Sequence, residues 1–199
     1  MVKNINSVTD STSYLDSLTA VGNTLYFRAD DGTNGYELWK SDGTASGTMM
    51  VKDINNASGS IGSPGSLAAV GNTLYFQANN GVNGTELWKS NGTASGTVMV
   101  KDIYNGTSSS SPHDLTAIGN TLYFQANDGI HGYELWKSDG TWAGTMMVKD
   151  MRSGSGSGFG EYSAGLTAVG NTLYFVASDG VNGYELYSNM SVSTEITYS

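Results

Sequence analysis

Few side chains in this 199-residue chain can do proton or nucleophile chemistry. There are two histidines, His113 and His131, and no cysteine. A thiol nucleophile, a thiolate zinc site and a disulfide are therefore excluded. His131 stands where Asn34, Asn83 and Asn182 stand in parallel stretches, and it reads as a turn residue. His113 follows Pro112 in a Ser-rich connector and reads as solvated. Neither sits in a cluster of unlike residues such as an active site needs, so no catalytic residue is predicted and the chain is not expected to be an enzyme. The recurrent acids are more informative. Glu37, Glu86, Glu134 and Glu185 each lie beside apolar neighbours. A buried carboxylate must be hydrogen-bonded or paired; backbone amides, or lysines such as Lys40 and Lys52, are the expected partners.

Oxygen donors also cluster near Asp/Asn-Gly turns: Asp31, Asn34 and Glu37, then Asp128 with Glu134 and Asp179 with Glu185. Such hard ligands suit Ca²⁺, although the full EF-hand spacing is absent and the same residues simply make tight turns. Trp39, Trp88 and Trp136 occupy one repeated position, with Tyr187 in the fourth. They could stack on sugars, giving a multivalent lectin with one site per copy, or fill the core, which is the simpler use. Trp142 replaces Ala45 and Ala94 in a turn and could anchor a partner.

The elements that position these residues repeat. Gly-Asn-Thr-Leu-Tyr-Phe begins at Gly22, Gly71, Gly119 and Gly170, with spacings of 49, 48 and 51. Each copy reads as four short strands. In the first copy strand A is Leu18 to Val21, strand B Thr24 to Ala29, strand C Tyr36 to Lys40 and strand D Thr48 to Ile54. Strand B has bulky residues of both parities, Leu25 and Phe27 against Tyr26, as a sheet sandwiched between two others requires. Lysine on strand D is the usual protection of an edge. Four strands in about 49 residues, repeated, predict an all-β, four-bladed β-propeller with strand A near the axis.

The predicted parts are a closing strand over 1–6, blades over 14–54, 66–103 and 114–151, the inner strands of a fourth blade over 165–188, and a strand-like tail over 189–199. Residues 1–5 repeat the end of strand D with no A, B or C before them, so the N-terminal strand is expected to close the ring. The tail competes for the same vacancy. Val2 and Ile5 at one end, with Val192, Ile196 and Tyr198 at the other, are therefore candidate assembly residues, able to pair within a ring or with another molecule.

Glu37-Leu38-Trp39-Lys40-Ser41-Asp42-Gly43-Thr44, followed by Gly47-Thr48 and Val51-Lys52-Asp53-Ile54, resembles the ELWxxDGT repeat family. Glu134 to Thr141 matches equally well, Glu86 to Thr93 differs by Asn91, and Glu185-Leu186-Tyr187 lacks the Asp-Gly-Thr. The resemblance implies a bacterial protein, secreted or displayed on the cell surface, and says little about activity.

Charge narrows the partners. Eighteen acidic and nine basic residues give a net charge of −9, which opposes nucleic acid and anionic membranes. No apolar run of about 18 residues is present for a membrane span, and no secretion signal is visible at Met1-Val2-Lys3. The expectation is a non-catalytic extracellular structural or interaction module. Its partners would be copies of itself, in an oligomer or filament, or extracellular glycans.

Overall fold

A computed structural model describes residues 1–7, 12–56, 62–160 and 165–190. Fifteen strands form four antiparallel sheets, and no helix occurs among the described residues. The first sheet runs β1 (Asp16–Val21), β2 (Thr24–Asp30), β3 (Tyr36–Ser41), β4 (Met49–Lys52). The second runs β5 (Gly65–Val70), β6 (Thr73–Asn79), β7 (Thr85–Ser90), β8 (Val98–Lys101). The third runs β9 (His113–Ile118), β10 (Thr121–Asn127), β11 (Tyr133–Ser138), β12 (Met146–Lys149). The fourth has β13 (Thr167–Val169), β14 (Thr172–Ser178) and β15 (Tyr184–Ser188). The architecture is β-propeller-like, and the predicted strands A to C appear in every copy. Strand D is shorter than expected. It ends at Lys52 because the Ile54 amide leaves the ladder for the Glu37 carboxylate.

Alternating parity puts a different set of bulky side chains on each face of a sheet. Tyr26, Leu38, Val51 and Ile54 of the first sheet pack with Leu74, Phe76, Ala78 and Trp88 of the second. Tyr75, Leu87, Val100 and Ile103 repeat this against Leu122, Phe124, Ala126 and Trp136 of the third. Leu135 and Met151 do so against Leu173, Phe175 and Ala177 of the fourth. Each of the first three sheets therefore has a forward face set into the rear face of the next. Strands of type A also meet: β1 contacts β5, and β5 contacts β9.

Lysines stitch the junctions. Lys40 and Lys89 donate to the carbonyls of Gly92 and Gly140 in the following sheet, both at 2.8 Å. Lys52 and Lys101 donate to those of Thr97 and Thr145, at 2.8 and 2.7 Å. None of the four is the partner of a buried glutamate.

No closed ring is present among the described residues. Residues 1–7 carry no strand pairing, because β15, the edge they were expected to complete, lies at the other end of the array. They lie instead on the rear face of the first sheet, where Ile5 packs with Phe27, Ala29 and Trp39.

Candidate functional site

Glu37, Glu86 and Glu134 are fully buried. Each closes the connector that leaves its own sheet. Glu37 accepts the amides of Ile54 and Gly62, both at 3.0 Å. Glu86 accepts those of Ile103 and Ser110, at 2.9 and 3.0 Å, and the Ser110 hydroxyl at 2.6 Å. Glu134 accepts those of Met151 and Gly158, at 2.8 and 2.7 Å. Burial lifts the carboxyls of Glu37 and Glu134 to about 7, against two amides that pull them down. Glu86 is raised too, with the Ser110 hydroxyl resisting. These are structural clasps. Glu185, the fourth of the set, is exposed.

The Ca²⁺ candidates are not brought together. Asp31 turns its carboxylate onto its own loop, accepting the amides of Thr33 and Asn34 and the Asn34 side chain. Asp128 and Asp179 do the same, with His131 and Asn182 in the Asn34 role. These donors hold all three acids below the usual aspartate range despite some desolvation. Glu37 and Glu134 point the other way, into their clasps. Among the described residues no group of three or more acids or histidines could hold a metal.

Trp88 and Trp136 are buried at the sheet junctions, and Trp39 is buried on the rear face of the first sheet beside Ile5, so they offer no ring face to a sugar. Tyr187 is half-buried and stacked on Phe175 at 6.0 Å. Trp142 is 67% exposed, with Lys101 over its ring at 4.5 Å. His113 begins β9, half-buried, and meets Tyr133 edge-on at 5.3 Å. It is not the solvated connector residue expected.

What the residues do bring together is a pair of unmatched ends. On the forward face of the fourth sheet Leu186 is 70% exposed, whereas Leu38, Leu87 and Leu135 at the same position are at 0%. Val169, Tyr174 and Val176 are exposed beside it. At the other end residues 1–6 sit on the first sheet as the close of a strand D sits on a following sheet. Lys3 donates to the Thr48 carbonyl at 2.7 Å, as Lys52 does to Thr97. Asn6 lies against Gly32 as Asn55 lies against Gly81. Ile5 thus occupies an Ile54-type place; Val2 beside it is exposed. Val192, Ile196 and Tyr198 lie outside the described residues.

The exposed face escaped sequence reading because Leu186 is the same leucine in all four copies; only a neighbour's absence distinguishes it.

No family model matches the sequence, and no curated protein matches it. Among solved structures the chain is similar to the puromycin hydrolase S511A mutant complexed with PGG, at 14% identity and a TM-score of 0.58, over 88% of this chain and 27% of that one. The chain thus spans about a quarter of that hydrolase's length, and the likeness is one of fold. A computationally designed protein, Ika8, is similar at 16% identity and a TM-score of 0.47, over 90% of this chain and 46% of the other. No helix among the described residues is long and apolar enough to cross a membrane.

Proposed function

We propose that this chain is a non-catalytic structural module made of four propeller blades, and that it assembles head to tail. The forward face of the fourth blade receives the first blade of a second copy, whose residues 1–6 supply the missing outer strand. The observation that carries this reading is Leu186: the residue is exposed only where no following blade covers it, and three internal junctions already define the surface that fits. Residues 1–6 are seated on the first sheet in the pose of a preceding blade's strand D. The resemblance to ELWxxDGT repeats supports a role for such a module outside the cell. A four-bladed ring closed by the chain's own N-terminal strand is the competing arrangement of the same surfaces.

One experiment separates the two. By the register that sets Lys52 opposite Leu38, Lys3 should stand opposite Leu186. The chain has no cysteine, so K3C/L186C carries one thiol at each end, and the single variants K3C and L186C, which can link only like to like, should give no ladder. Oxidation should give a ladder of linked chains on a non-reducing gel, and light scattering of the unmodified protein should give masses above the 20.9 kDa chain that rise with concentration. A disulfide confined to single chains, with a constant mass of one chain, would establish the closed ring and overturn head-to-tail assembly.

A further inference from the structure

The junction of the third and fourth sheets departs from the repeat. A cavity of about 520 Å³ lies where the third and fourth sheets meet, lined by His113, Tyr133, Arg152, Ser157, Phe159, Gly160 and Tyr184. That volume is in the range of small-molecule sites. The corresponding positions of the preceding copy are identified by shared hydrogen bonds. Glu86 takes the Ile103 amide as Glu134 takes that of Met151, which aligns Tyr104 with Arg152. Ser109 accepts the Thr85 amide as Ser157 accepts that of Tyr133. The amides of Ser111 and Phe159 both reach the carbonyl at the start of strand C. Gly65 stands in the place of His113. Gly, Thr, Tyr and Ser have therefore become His113, Tyr133, Arg152 and Phe159, beside Ser157, which is unchanged, and Tyr184, whose counterpart at the preceding junction is Tyr133. The connector here also accounts for the longest repeat spacing, 51 residues.

The replacements share a chemistry. His113 Nδ1 lies 2.9 Å from the Ser111 carbonyl, which can only accept, so Nδ1 carries the proton and Nε2 is left as an acceptor. The Ser157 oxygen already accepts the Tyr133 amide, so its hydroxyl proton can be given elsewhere. Tyr133 and Tyr184 add two phenols, and their rings with that of His113 supply faces for the C–H side of a pyranose. Gly160 lets the Tyr184 hydroxyl approach, since a Cβ there would stand 2.9 Å from it. Arg152 supplies a planar, permanently charged fork that matches a carboxylate. Among the described residues no acid is within ion-pair distance of it.

We infer that this cavity is a single saccharide site for a sugar that bears a carboxylate. It differs from a site repeated in every blade, because no other junction has this set. It rests on the third and fourth sheets of one chain and not on head-to-tail assembly. The chain's charge of −9 repels anions at a distance, so the guanidinium must act by direct contact.

The test is titration calorimetry with digalacturonate and a hyaluronan disaccharide, each beside the neutral disaccharide galactobiose. At least one acid should bind one per chain, about tenfold or more tighter than galactobiose. R152Q should abolish the preference for the acid, and Y184F should weaken both acid and neutral sugar. W142A, in the turn between β11 and β12 and outside the lining of the cavity, should change neither. Arg152 is exposed, so R152Q should retain the wild-type melting curve. Absence of heat with both acids at about 10 mM, a stoichiometry of three or four per chain, or an acid preference that survives in R152Q would each overturn the assignment.

Discussion

A buried glutamate that accepts two amides works as a clasp, and its environment sets the sign of its pH dependence. The folded carboxyls of Glu37 and Glu134 titrate at about 7, above the ordinary 4.5. Between those values the folded chain holds more protons than the unfolded chain. Stability from these groups is therefore greatest at or below the ordinary value and falls as pH rises through the window. The turn aspartates Asp31, Asp128 and Asp179 act oppositely, since their lowered values lose stability as pH falls through the acid range. Urea unfolding should give maximal stability near about pH 5, declining toward pH 8, and E86Q should leave a shallower decline than the wild type. In the same assay E37A should cost about 2–4 kcal/mol, because two buried amides lose their acceptor. E185A in the single chain should stay within about 0.5 kcal/mol. That the glutamates matter was legible in their repetition. Backbone amides were among the expected partners; which amides was not legible, since the donors lie 17 and 25 residues further along and an amide leaves no mark in the sequence.

At the scale of the element, strands A to C were legible from their residue types, but the interior of strand A was not. Ser17, Ser66 and Asp114 have positive φ, and Gly165 shares the position. The register of β1 and β5 slips at this point. Only the glycine of the fourth copy hinted at a left-handed residue in an apparently regular strand. The turn from strand C to strand D gives a cleaner test of the junction. Gly92 has φ +85°, and a Cβ there would come within 2.3 Å of the Tyr26 hydroxyl of the preceding sheet; Gly140 meets Tyr75 in the same way. Gly43, at φ +90°, has nothing within 4 Å, because among the described residues no sheet packs on the rear face of the first. G43A should therefore show only the backbone penalty, about 1–2 kcal/mol. G92A should cost clearly more by chemical denaturation, and adding Y26F should recover part of the difference. Equal costs for G43A and G92A would mean that the tyrosine contact contributes nothing.

Across the whole molecule, stability should grade along the array, since each sheet touches only its neighbours. The second and third sheets are packed on both faces, the fourth on one. Amide hydrogen exchange should be fastest in β14 and β15 and slowest in β6, β7 and β10. Raising the protein concentration should protect β15 selectively if a second copy covers Leu186. Uniform protection at every concentration would contradict both the gradient and the assembly. The indoles show where sequence reading loses power at this scale. Trp39 and Trp142 are the same residue type, yet one is buried and the other exposed. Only the substitution pattern, a position aromatic in all four copies against a single departure from Ala45 and Ala94, separated them.

Interchangeable junctions also have a genetic consequence. Forward and rear faces match at every internal boundary, so an unequal crossover that duplicates one 49-residue segment inserts a unit already complementary to both flanks. A deletion of the same length rejoins two surfaces that also fit. Copy number can therefore drift without a compensating mutation at any existing interface. The third-to-fourth boundary is the exception, because its cavity depends on unlike neighbours, and a crossover there would erase it. Length variants of this gene should accordingly gain and lose copies upstream of residue 104 and keep the last two together.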